Sequence, residues 1–213
     1  TFKQTWAFSF GKFMTDGVWW FFLFWTPAYL KAEYGMSPDQ IAVPIGVLYT
    51  ITVFGSVFGG KFPTFFINRG MNPYAGRMRA MMIIAFFPLL VLLAQPFGHL
   101  QILGNYAFWI PVLLIGIGGS AHQAWSANIF TTVGDMFPKS AVATIVGIGG
   151  MAGGIGSFFI NKGSGMLFDY SLLEWGTKTT GYTIVFSFCA VAYLIGWTVM
   201  KILVPKYKPI TDL

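Results

Sequence analysis

Four polar side chains, His122, Gln123, Ser126 and Asn128, crowd the middle of one long apolar run, and Lys12 and Asp16 interrupt another. Such groups can bind a polar solute, move a proton or pair a charge. Inside a membrane they are costly, and they mark pathways, relays or paired contacts. At helical spacing Gln123, Ser126 and Phe130 stand at i, i+3 and i+7 and share a face, with His122 and Trp125 on a neighbouring flank. The stripe either lines a cavity or bonds to another helix. Its density of polar groups favours the cavity. Asn128 points elsewhere and can bond to a neighbouring helix. His122, with an ordinary pKa near ~6.5, is either a proton shuttle or a neutral core histidine.

Lys12 and Asp16 are four residues apart and share a helix face. They form an internal pair with a snorkelling lysine, or they act as a gate contact or coupling group. Trp19 and Trp20 sit near mid-span, where one of them could stack on a sugar-like ring and the other pack. Tyr49, with Thr50 and Thr52, lies in the middle of the next apolar run.

The elements that carry these residues are membrane spans. The chain has 213 residues, 55% hydrophobic and 9% charged, with 23 Phe and 8 Trp. Typical soluble domains are about 25% charged, and a soluble domain this small cannot bury so much apolar surface. A β-barrel would alternate in polarity over segments of about 10 residues, whereas these runs are continuous. The sequence therefore predicts an all-α integral membrane protein. Six spans follow, at about 6–30, 41–66, 78–97, 106–134, 140–167 and 181–204. The third and sixth are bland and read as peripheral.

Ten of the thirteen Lys and Arg residues fall on one side of this topology, which places both termini of the segment in the cytoplasm. The positive charge is thus a topology signal and gives no reason to expect nucleic acid. The chain opens at Thr1 without a signal pattern and enters a span almost at once, as a segment starting in mid-protein would.

Glycine supplies the contacts. Gly55 and Gly59 form one small-xxx-small pair; Gly149/Gly153 and Gly150/Gly154 form two more on the fifth span. Pro27 loosens the end of the first span, and Ser37-Pro38-Asp39-Gln40 signals a helix start. Asp135 can cap a helix or pair with a basic loop residue. Enzyme chemistry is not encoded: there is no phosphate-binding loop, no metal-ligand spacing and no convincing Ser-His-Asp set. No cofactor or metal is expected.

Three stretches resemble a known family. Lys12-Phe-Met-Thr-Asp16-Gly-Val-Trp19-Trp20, running on to Trp25, Pro27 and Tyr29, is similar to the seventh helix of bacterial hexuronate transporters. These belong to the anion:cation symporter family of the major facilitator superfamily. Ala121-His122-Gln123-Ala-Trp125-Ser126-Ala-Asn128 and Asp135-Met-Phe-Pro138-Lys139 resemble their tenth helix and the following loop, and Val146–Gly153 their eleventh. The resemblance implies the C-terminal six-helix half of a twelve-helix transporter in the cell inner (plasma) membrane. It further implies an N-terminal six-helix half as partner, a small organic anion such as a sugar acid as substrate, and a proton or other coupling cation. The family's acidic-arginine loop signature has only a degenerate echo here, Gly59-Gly60-Lys61 to Asn68-Arg69, without an aspartate.

The expected function is import of a sugar acid by proton-coupled alternating access. The expected substrate contacts are Gln123, Ser126, Trp19, Trp20, Tyr49, His122 and Asn128, with Lys12 and Asp16 gating or coupling. Two other classes fit a six-helix chain. An oligomeric channel would show flux that neither saturates nor follows a gradient, and a transporter-derived sensor or scaffold would bind without flux.

Overall fold

The computed structural model describes residues 2–211 and is all-helical among them. Five long helices and one of 12 residues carry the fold: α1 (Lys3–Tyr34), α2 (Pro38–Lys61), the short α3 (Pro73–Ile84), α4 (Trp109–Met136), α5 (Lys139–Trp175) and α6 (Thr179–Leu203). By length and composition, four stretches are apolar enough to cross a membrane: Pro38–Ile67, Pro73–Gly98, Lys139–Trp175 and Thr179–Leu203. The two long helices outside that set, α1 and α4, both carry ionisable or polar side chains well inside their length.

Local chemistry sets the boundaries. Gln40 accepts a hydrogen bond from the Ser37 backbone N–H at 2.9 Å, which starts α2 at the expected place. Asn72 accepts from the Ala75 N–H at 2.8 Å and starts α3, with Pro73 in its first turn. The helices α1 and α5 end at Gly35 and Gly176, with φ of 64° and 70°, a left-handed conformation that glycine adopts without a Cβ penalty.

Three boundaries differ from the sequence reading. The second span, read as 41–66, holds α2 to Lys61 and then, past Pro63, a separate short helix, Thr64–Ile67. The third segment is not one continuous helix. After α3 the chain tightens into a 3-10 helix, Phe87–Leu93, before a short helix, Ala94–Gly98. Pro88 and Pro96 lie in this stretch, and neither can donate the backbone bond that a regular α-helix needs. The helix α5 runs well past residue 167, to Trp175, and its 37 residues make it about 55 Å long. The extension carries Asp169 and Glu174, whose charges removed it from a reading based on apolar runs.

The most extensive packing is α2 on α4 and α1 on α5, with α1 also against α6. Lipid-solvated helices have no hydrophobic reason to associate, so close packing of small residues does this work. A Cβ added at Gly149, Gly153 or Gly156 of α5 would collide with the Phe8 ring, the Asp16 carboxylate and the Phe13 carbonyl of α1. On α2, Gly55 sits against the Ser120 backbone and Gly59 against Ala124. Between α1, α4 and α6 lies an aromatic core of fully buried Phe21, Phe22, Tyr29, Trp125, Tyr182 and Tyr193.

The bundle has one basic end, where α1 starts and α6 stops. There Gln4 donates to the Lys208 carbonyl at 2.8 Å, Tyr74 to the Val204 carbonyl at 2.6 Å, and the Ile210 N–H to the Met136 carbonyl at 2.8 Å. At the opposite end the Glu33 carboxylate accepts from Thr179 at 3.0 Å and lies 3.3 Å from the His99 ring.

Candidate functional site

The helix α1 presents its functional side chains in successive directions. Lys12 and Asp16 pair across one turn at 2.7 Å, with Lys12 only 4% exposed. The ammonium also sits over the Phe130 ring of α4, 4.1 Å from its centroid, a cation–π contact that strengthens as water is excluded. Asp16 faces Gly153, whose missing side chain makes room for the carboxylate. The pair is therefore held from both sides, by an aromatic ring of α4 and by the bare backbone of α5.

One turn further along, Trp19 reaches across to α4 and α2. Its ring stacks on His122 with centroids 5.3 Å apart and planes 8° from parallel, and it meets Tyr49 edge-on at 6.5 Å. His122 is itself fixed by a 2.8 Å hydrogen bond between its Nδ1 and the Tyr193 hydroxyl of α6. Tyr193 carries no obvious signal in the sequence, because it sits in an otherwise bland segment. The Tyr49 hydroxyl donates to the Leu23 carbonyl at 3.4 Å. That carbonyl is the one Pro27 cannot serve, since proline has no N–H to return to the residue four places back.

Trp20 points a different way. It is 38% exposed, stacks on Phe24, and borders a groove of about 720 Å³ between α1 and α5. The polar floor of this groove is Ser157 and Asn161, and Asn161 accepts a 3.0 Å hydrogen bond from the Trp25 indole N–H. Neither α5 residue stood out in the sequence reading, since each is one polar side chain in a glycine-rich run.

On α4, Gln123 and Ser126 are partly open and stand on the same face as Phe130. His122 and Asn128, expected among the substrate contacts, point inward. They are 4% and 1% exposed. The Asn128 amide donates to the Gly59 carbonyl of α2 and to the Ala124 carbonyl, both at 2.8 Å, and so clamps the α2–α4 contact. The structure thus brings Trp19, Tyr49 and His122 together and leaves Gln123 and Ser126 open on an adjoining face. It sends Trp20 to the α5 side.

At the basic end Arg77 donates to Asp135 from Nε at 2.6 Å. An ion pair therefore stands on this side, built from a residue of α3 and one of α4 and not from the degenerate loop signature. Asp135→Asn is expected to destabilise the bundle by about 1 kcal/mol. The charge-swapped double variant Arg77→Asp/Asp135→Arg is expected to recover most of that in thermal melts. Equal losses in single and double variants would show that the pair contributes nothing.

Long apolar helices in close small-residue contact define a multi-pass helical membrane protein. Its curated relatives are transporters, which are not enzymes. The chain is 28% identical over 204 residues to the hexuronate transporter of Escherichia coli strain K12, a match covering 93% of this chain and 43% of the transporter. It is 25% identical over 155 residues to the probable galactarate/D-glucarate transporter GarP of the same strain, covering 73% and 31%. The chain thus spans less than half the length of the curated relatives it matches. No protein-family model matches it.

Proposed function

We propose that this chain is the C-terminal six-helix half of a secondary active transporter that imports a sugar acid, such as a hexuronate, by proton-coupled alternating access. Here α1 to α6 serve as helices seven to twelve, with both ends of the segment in the cytoplasm of a plasma-membrane protein. The observation that carries the reading is the match to the hexuronate transporter across nearly the whole chain.

The geometry supports a division of labour. Gln123 and Ser126 are hydrogen-bonding groups that face a solute held between this half and an N-terminal half, near the bilayer midplane. Trp19 offers an aromatic wall, with Tyr49 beside it. His122 and Asn128 act through others: His122 holds Trp19 by stacking, and Asn128 holds α2 on α4. Trp20 contacts solute from the α1–α5 groove. Lys12 and Asp16 link α1 to α4 and α5 and gate or couple the rocking of this half.

Uptake of radiolabelled glucuronate by the full-length protein in proteoliposomes tests the assignment. Gln123→Ala and Ser126→Ala are each expected to raise KM about tenfold, the worth of one hydrogen bond of about 1.4 kcal/mol. Unchanged uptake kinetics in both variants would remove these residues from the site.

A further inference from the structure

A second cavity, about 510 Å³, lies between α2, α3 and α4. At about 100° per residue, Ile117, Ala121 and Ala124 stand roughly 150° round α4 from Gln123, Ser126 and Phe130, so this groove and the candidate site open on different sides. Its floor is made of small residues, Gly55, Gly59 and Ala124, and its walls are Phe58, Ile83 and Phe87, all three exposed.

One cation borders it: Lys61, in the last turn of α2. Among the described residues no carboxylate lies within salt-bridge distance of Lys61, or of Arg69 and Arg79 at the same basic end. Arg69 instead lies over the Phe65 ring at 3.5 Å, and Arg79 faces Phe66 at 5.9 Å. From Ile51, another lining residue, to Lys61 is about 15 Å along α2. That is the depth of one leaflet of a ~30 Å hydrocarbon core.

An apolar slot one leaflet deep that ends at a single cation, Lys61, matches an amphiphile with an acyl chain and an anionic head. A sugar acid has no apolar part to fill it. We propose that this groove binds an anionic phospholipid, its acyl chain along Phe58, Ile83 and Phe87 and its phosphate on Lys61. The proposal needs these helices to lie in a bilayer and the groove to face lipid; it stands or falls independently of which solute is carried.

The test uses the full-length protein in mild detergent, given dioleoyl phosphatidylglycerol and dioleoyl phosphatidylcholine in equal amounts. Retained lipid is counted by native mass spectrometry. Phosphatidylglycerol is expected to be retained about fivefold over phosphatidylcholine, the effect of about 1 kcal/mol per basic residue at a membrane surface. Lys61→Gln is expected to erase the preference, Lys61→Arg to keep it, and Lys178→Gln to leave it unchanged. On the unaltered protein, phosphatidylglycerol carrying a diazirine in its acyl chain is expected to crosslink to Phe58, Ile83 or Phe87. Equal retention of the two lipids, a preference that survives Lys61→Gln, or crosslinks spread evenly over the exposed faces of α5 and α6 would overturn the proposal.

Discussion

Gly156→Ala is expected to prevent α5 from seating on α1, at a cost of about 3 kcal/mol or more. The added methyl would run into the Phe13 carbonyl, which is backbone and cannot swing away. Gly149→Ala is expected to cost somewhat less, because the obstacle is the Phe8 ring, and a ring can turn if its neighbours give. Gly163→Ala is the control. It lies on the same helix, nothing stands within 4 Å of its would-be Cβ, and alanine is the better helix former. Thermal unfolding of the full-length protein in detergent, read with a fluorescent thiol probe on the buried Cys189, separates the three. Equal melting temperatures for Gly156→Ala and Gly163→Ala would mean that the close approach of α1 and α5 does not hold the bundle.

Lys12→Ala carries the second large effect. It leaves Asp16 beside α5 without its cation, and breaking a buried pair from one side costs about 3–5 kcal/mol. The double variant Lys12→Met/Asp16→Leu is expected to regain most of that stability, since two apolar side chains of similar volume need no partner. Uptake then separates architecture from mechanism. A double variant that folds yet fails to transport assigns the pair a role in gating or coupling. A double variant that transports normally reduces it to a structural contact.

Some of this was legible in the sequence and some was not, for physical reasons. The partnership of Lys12 with Asp16 is local: a spacing of four residues on a helix brings the two together whatever surrounds them. The same holds for the helix start at Ser37 to Gln40 and for the shared face of Gln123 and Ser126. Partners distant in the chain were out of reach. Pro27 announced a weakened helix, but the hydroxyl that serves the orphaned Leu23 carbonyl comes from Tyr49 on another helix. The polar floor of the α1–α5 groove depends on Asn161 meeting Trp25, and the His122 orientation on Tyr193. No periodicity within one segment encodes such pairings. Asn128 illustrates the converse. It was read both as a solute contact and as a group that bonds to a neighbouring helix, and its place on the Ala121–Ala124 side of α4 turns it to the α2 backbone.

Hydropathy alone was also an incomplete guide. It finds four apolar stretches and passes over α1 and α4, whose polar groups lower their apolar score. The helices that matter most to the proposed function are therefore the hardest to find by composition.

The most direct test of the account is glucuronate uptake by the full-length protein in proteoliposomes, measured with and without an inward proton gradient. The account predicts saturable uptake that the gradient accelerates and that unlabelled galacturonate suppresses. Uptake that is linear in concentration and indifferent to the gradient would contradict it and describe a pore; no uptake of either sugar acid would contradict the assigned substrate class.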